Sequence, residues 1–413
     1  MMRAAMMAAL LAAVAMPAAA NAPASDANVW AAAERLRPAQ LQTLEQVVNV
    51  DSGTGDVGGG RKVASLLVPR LRALGMDVQT VAAEAPDLPE NVVATLKGTG
   101  RGRILMIGHI DTVFGPGTVA KRPFRINGDH ATGPGVSDEK GGVIEGLYAL
   151  QILHDLAFRD FGQITFLMET SEERGSPGTQ ALIKRLVASA DVELNLEPGD
   201  PPDVLTVWRK GSTTFHIDVK GRAAHAGVAP QDGRNAAVEL IHQIQSNDTF
   251  PKSGEGITAN LTLMSAGSRE NIIPDTASAA INVRVRDKAD FGRVEQVYRA
   301  NAAHTQVPDT SVTISRTPAF PPLASNPGTD ALAARAEAIY AGIGSKIGRG
   351  GNGGASESAL AYEAGVPALD GLGPVGGGFH SDKEYLDLTT LTPRLYLLTE
   401  LLMNLGRNPP ARR

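Results

Sequence analysis

The sequence predicts an α/β fold: a main domain with a mostly parallel or mixed sheet flanked by helices, interrupted by an inserted ferredoxin-like α+β lid domain. Three observations predict it. Apolar runs at 103–108, 163–169 and 192–197 lead into polar residues and are separated by helix-like stretches, the alternation of a mostly parallel sheet. From about residue 210 the rhythm changes to strand, helix, strand, strand, helix, strand, the split-βαβ order. After Phe320 helices and a short apolar strand resume, which assigns 23–209 and 320–413 to the main domain and 210–319 to the insertion.

Composition bounds the reading. A chain of 413 residues is too long for one compact core, so two domains are expected. It is 43% hydrophobic and 20% charged, with a net charge of −5, and lacks the basic footprint that nucleic-acid partners require. There are no cysteines, which excludes disulfides and thiolate metal sites and leaves His, Asp and Glu as ligands. Residues 1–22 carry one early arginine, an apolar run and then small residues, the pattern of a secretory signal peptide. Export implies a periplasmic or secreted protein without stable membrane association once the signal is cleaved. No later run reaches the ~18 apolar residues of a membrane span.

The elements follow in order. A helix is expected over 30–50. The glycine-rich 51–60 lacks the Gly-Lys-Ser/Thr of a phosphate loop and reads as a loop entering a helix at 61–75. Strands at 103–108, 163–169 and 192–197 alternate with helices at 141–156 and 178–189. In the insertion, strands are expected at 213–221, 257–265, 277–286 and 311–317, with helices at 235–246 and 291–304. "PALDGL" and a helix at 392–406 complete the main domain.

Chemistry-bearing side chains cluster at these strand ends, where open α/β sheets build their sites. In "GHIDTV", His109 and Asp111 are two residues apart and face the same way in extended chain. The imidazole could bind a metal while the carboxylate orients it. Asp138 stands among glycines in "GPGVSDEKGG", and its two oxygens could bridge two cations. In "TSEERGS", Glu172 and Glu173 are adjacent, so their side chains diverge. One could coordinate a metal while the other faces a water as general base. Taken alone, that stretch also reads as a solvated helix N-terminus, where the dipole favours acids. Glu197 in "NLEPGD" and His380 in "GFHSDKEY" complete the set. Two cations sharing one carboxylate would each have three protein ligands, and nitrogen and oxygen donors suit catalytic zinc, with cobalt or manganese possible. His130, His154, His216, His242 and His304 read as structural or solvent-facing.

The ordered motifs "GHIDTV", "GPGVSDEKGG", "TSEERGS", "NLEP", "RAAHAG", "ENIIPD" and "GFHSDKEY" resemble those of the aminoacylase and carboxypeptidase family of co-catalytic dizinc metallopeptidases. The likeness is most of all to its exported glutamate carboxypeptidase (carboxypeptidase G) type. The resemblance implies two zinc ions per subunit. His109, Asp138 and Glu197 would hold one, and Asp138, Glu173 and His380 the other. Asp111 would orient His109, and Glu172 would be the general base. A cis peptide between Asp138 and Glu139 is also implied. The insertion would be a dimerisation lid, making the protein a homodimer. From it His225 would reach the partner's site to stabilise the oxyanion, assisted by Asn271. Arg284 would clasp the substrate's terminal carboxylate. Two positions depart from the type. Thr317 stands where an arginine precedes "PAF", with Arg316 one place earlier, and the loop at 353–359 reads "GGASESA".

The function expected is a metallo-exopeptidase hydrolysing the amide bond before a C-terminal amino acid, in N-acyl or pteroyl amino acids or short peptides. An N-acyl-amino-acid amidohydrolase or dipeptidase is the neighbouring reading. A periplasmic peptide- or metal-binding protein without turnover is the alternative of another class, but a binder gains nothing from a base at Glu172.

Overall fold

The computed structural model describes residues 26–318 and 320–411. The expected signal peptide lies outside the described residues. The main sheet has six strands, in spatial order 77–81, 91–97, 163–169, 103–109, 192–195 and 368–369. The first two pairings are antiparallel; from strand 163–169 onward the strands run parallel. The sheet is therefore mixed, as expected.

Burial on both faces explains the continuous apolar runs. In strand Arg103–His109, Ile104 and Met106 belong to one core, and Leu105 and Ile107 to the other. Helix Lys140–Asp155 is buried on almost every side because helices Ala27–Val48 and Leu391–Arg407 both pack on it. Helices Gln180–Ser189 and Ser358–Glu363 cover the opposite face.

The glycine run is a correction to the sequence reading. Gly58, Gly59 and Gly60 are not a loop but the first turn of helix Val57–Ala73, capped by Asp56, whose Oδ1 accepts from the Gly59 amide at 2.8 Å. A Cβ on Gly59 would lie 2.0 Å from the Asp51 carbonyl oxygen, and one on Gly60 2.6 Å from Pro89 Cγ. These glycines are there for close packing, not for a phosphate.

A second sheet has the order 258–266, 276–285, 211–220, 311–316, all antiparallel. Helices Ala236–Asn247 and Ala289–Ala302 pack on it around Phe215, Ile217, Val283 and Tyr298. Its βαββαβ order and four-stranded topology are ferredoxin-like. The outgoing and returning chain run side by side through bridges Arg209↔Leu323 and Ser212↔Phe320. A five-stranded sheet of short segments, 125–127, 130–132, 385–387, 373–377 and 198–199, closes the main unit. Among the described residues no helix is long and apolar enough to cross a membrane.

Candidate metal centre

Three parallel strands end at the same level. His109 is the last residue of its strand and pairs with Glu169, while Ile107 pairs with Asn195. Glu172 and Glu173 follow on a short 3-10 turn, and Glu197 lies two residues beyond Asn195. Asp138 precedes helix Lys140–Asp155 and is joined to Glu139 by a cis peptide bond.

These side chains converge. His109 Nε2 lies 3.2 Å from Asp138 Oδ1 and 3.7 Å from Glu197 Oε1. His380 Nε2 lies 3.2 Å from Asp138 Oδ2 and 3.1 Å from Glu173 Oε2. The two oxygens of Asp138 therefore face two different histidines. Two groups of donors, His109–Asp138–Glu197 and Asp138–Glu173–His380, each lie within 4.8 Å of one another. The adjacent glutamates diverge: Glu173 meets His380, whereas Glu172 Oε2 comes within 4.0 Å of His109 Nε2 without joining either group.

The surroundings fit a cation. His109 Nδ1 lies 3.0 Å from the Asp111 carbonyl oxygen, which assigns its proton there and leaves Nε2 free for a ligand. The Asp111 carboxylate accepts from Thr54 Oγ1 at 2.6 Å and from the Glu172 and Glu173 amides at 3.2 and 3.4 Å. Its Oδ1 also lies 3.4 Å from His109 Nδ1, so Asp111 holds the glutamate turn as well as the imidazole. Burial pushes Glu173 up to about 7, although the His380 hydrogen bond opposes it. Burial also holds Glu172 well above the carboxylate range, reinforced by Glu357, Glu197 and Glu173 against the opposing His109. Asp138 stays well below that range, because hydrogen bonds to His109 and His380 outweigh burial. His380 is raised to about 10 by Asp138 and Glu173. This excess of acid is what divalent cations would neutralise.

The site opens into a cleft of about 490 Å³ that runs to the second sheet. Arg284 lies on its far wall with Ser212, Thr214, Asn282 and Thr317. Its Nε donates to Asn282 Oδ1 at 2.9 Å, and its Nη1 to the Gly353 carbonyl at 3.4 Å. Arg316 points elsewhere, toward Glu295 at 3.8 Å, and does not line the cleft. His225 and Asn271 are not brought to the site within this chain. They sit together and exposed at a two-stranded antiparallel pair, 224–225 with 272–273, where the Ala226 amide donates to the Asn271 carbonyl and His225 Nδ1 accepts from Gly227 and Val228.

Several contributors escaped sequence reasoning. Arg209 donates to Glu197 Oε2 at 3.2 Å and forks onto Asp370 at 2.8 and 2.6 Å. Asp370 also accepts from Ser356 and Ser358. Glu139, Glu169 and Glu357 are fully buried around the centre. Glu139 accepts from the His109 amide at 3.1 Å and Glu357 from Asn195 Nδ2 at 2.9 Å. No local pattern marks Arg209 or these buried acids as part of the site; each lay in a run that gave no reason to assign it there.

Comparison with known proteins gives a consistent result. The model of peptidase family M20/M25/M40 matches residues 105–404. Carboxypeptidase G2 of Pseudomonas sp. (strain RS-16) is 34% identical over 384 residues, 92% of each chain. Among solved structures, a tripeptidase from Staphylococcus aureus aligns with a TM-score of 0.73 at 22% identity, covering 90% of this chain and 99% of that one. A metallo-carboxypeptidase of the M20 family from Sulfolobus solfataricus aligns with a TM-score of 0.71 at 17% identity, covering 88% and 98%.

Proposed function

The chain belongs to peptidase family M20/M25/M40 and is a metal-dependent hydrolase; from that premise we propose that it cleaves the amide bond before a C-terminal amino acid in N-acyl amino acids or short peptides. The observation that carries this reading is the meeting of an acidic, histidine-flanked pole and an arginine across one cleft.

His109, Asp138 and Glu197 would hold one zinc ion, and Asp138, Glu173 and His380 a second. Bound cations supply Lewis acidity to the scissile carbonyl and lower the pKa of water. The remaining work falls to the chain itself. Glu172, beside both donor groups but in neither, takes a proton at its carboxylate from the attacking water and returns it to the leaving nitrogen. Asp111 fixes the tautomer and tilt of His109. Arg284 receives the substrate's free carboxylate, a task suited to its planar fork.

The rest of the reading concerns assembly and place. Residues 23–209 and 320–413 form the catalytic domain and 210–319 the lid. The protein is a homodimer through the lid, with His225 and Asn271 serving the partner's site as oxyanion donors. Support for this comes from strand Thr258–Ala266, which among the described residues is an edge of the second sheet bearing the exposed Leu261, Leu263 and Met264, with Val238 and Ile241 exposed on helix Ala236–Asn247. The leader at 1–22 would direct it to the periplasm or cell exterior. A hydrolysis screen of zinc-loaded protein tests the function. N-acyl amino acids with a free carboxylate should be cleaved and their C-terminal amides should not; equal cleavage of both would overturn the exopeptidase reading.

A further inference from the structure

Glu384 stands apart from the donor groups and has no part in the mechanism above, yet it is only 1% exposed. Its carboxylate accepts three backbone hydrogen bonds. Oε1 receives the amides of Ser137 at 3.0 Å and Asp138 at 3.2 Å, and Oε2 the amide of Gly135 at 3.0 Å. All three donors lie in the segment that delivers Asp138, the one side chain shared by both donor groups. That segment is glycine-rich, with Gly135 at φ +70°, and belongs to no helix or strand. Left alone it would not hold one shape.

Glu384 is itself well fixed. It immediately precedes strand Tyr385–Asp387, which pairs on one side with Gly376 and Gly377 and on the other with Ala131 and Thr132. The same neighbourhood closes over the loop: a Cβ on Gly376 would lie 1.9 Å from Ser137 Oγ, so no larger residue fits there. The buried ammonium of Lys140, which donates to the Val50 carbonyl at 2.9 Å, adds positive charge nearby. His380 lies four positions before Glu384 on the same turn.

We propose that Glu384 is a positioning residue of the metal centre: its carboxylate gathers the 135–138 amides, sets where Asp138 presents its two oxygens, and ties the Asp138 loop to the His380 loop. The inference rests on the metal-centre reading above. Charge-assisted acceptance by a fixed carboxylate is about twice as strong as a neutral hydrogen bond. Three such bonds within four residues of one loop act as a template for it.

Glu384→Gln tests this. A carboxamide has one acceptor oxygen, which can keep the Ser137 and Asp138 amides, while its NH₂ then confronts the Gly135 N–H. Zinc affinity, read by chelator competition, should fall roughly 10–100-fold, as for other partners that orient ligands. The melting temperature should fall more in excess zinc than in chelator. Should E384Q fail to fold, Glu384→Asp carries the same comparison, because its carboxylate sits one methylene short of the amides. A folded variant that binds zinc within about two-fold of wild type, well outside the loss expected of a ligand-orienting residue, would overturn the proposal. So would equal losses of melting temperature with and without zinc, which mark a merely structural role. Failure of the wild type itself to bind zinc would instead remove the metal-centre reading, and this inference with it.

Discussion

Arg209 Nη2 reaches Glu197 Oε2 at 3.2 Å, while the other oxygen of Glu197 faces His109 at 3.7 Å. The arginine thus occupies one oxygen of a candidate ligand and leaves the other to the site. Its fork is completed by Asp370, which is fully buried.

Arg209→Met should be strongly destabilising, because it strands Asp370 and part of Glu197 without a cation. Breaking a buried pair from one side costs about 3–5 kcal/mol. Denaturant unfolding checks this. The double variant Arg209→Met/Asp370→Asn should recover part of the loss, since neighbours in one network are not additive. Strict additivity would contradict the coupling.

Glu172→Gln should abolish turnover while leaving metal content close to wild type. Loss of a positioned general base costs on the order of 10²–10⁴ in kcat. Parallel metal analysis and steady-state kinetics decide it. A large fall in metal content would move Glu172 from base to ligand.

How much of this site the sequence displays depends on where each residue sits. His109 and Glu197 were legible because an apolar strand that ends in a ligand-capable group is a local pattern. Asp138 was legible because it stands among glycines, and His380 because it completed the set of histidine and carboxylate ligands. Arg209 lies only 12 residues from Glu197, but the Asp370 that completes its fork is 161 residues away, and Glu384 acts on amides 246 to 249 residues away, so no short window of sequence displays the buried pair or the carboxylate cradle. The fold class followed from alternation and from the change of rhythm near residue 210. The five-stranded sheet did not, because its segments are as short as Pro198–Gly199 and as glycine-rich as Gly373–Gly377. Only the first turn of helix Val57–Ala73 was read as loop, because glycine is a poor helix former that close packing nevertheless demanded here.

Arg284→Met should raise KM for substrates with a free C-terminal carboxylate. Losing a hydrogen bond to a charged group costs about 1.5–3 kcal/mol, or roughly 10–150-fold in affinity. Arg284→Lys should recover only part, because an ammonium lacks the fork. In the same assays, neutral C-terminal residues should be preferred over glutamate. Ser212, Thr214, Asn282 and Thr317 line the cleft with Arg284, and its other two arginines are committed elsewhere, Arg209 to Glu197 and Asp370 and Arg174 to the Thr54 carbonyl and Asp87. Preference for glutamate would contradict this account of the cleft.

Glu400 predicts a pH dependence remote from the site. Burial raises its pKa from 4.5 to about 7, reinforced by Asp26. A carboxyl whose folded pKa is raised favours folding fully below its ordinary pKa and loses that advantage as pH rises through 7. Glu400→Gln should therefore match wild type near pH 4 and melt higher above pH 7. Thermal melts across that range check the sign, and a constant offset at every pH would refute it.

The central claim is that Asp138 is shared between two cations. Anomalous diffraction from a zinc-soaked crystal tests it most directly. Two peaks are expected, one among His109, Asp138 and Glu197 and one among Asp138, Glu173 and His380, each about 2.0–2.2 Å from its ligand atoms. A vacant pocket in excess zinc, or metal bound without contact to Asp138, would contradict it.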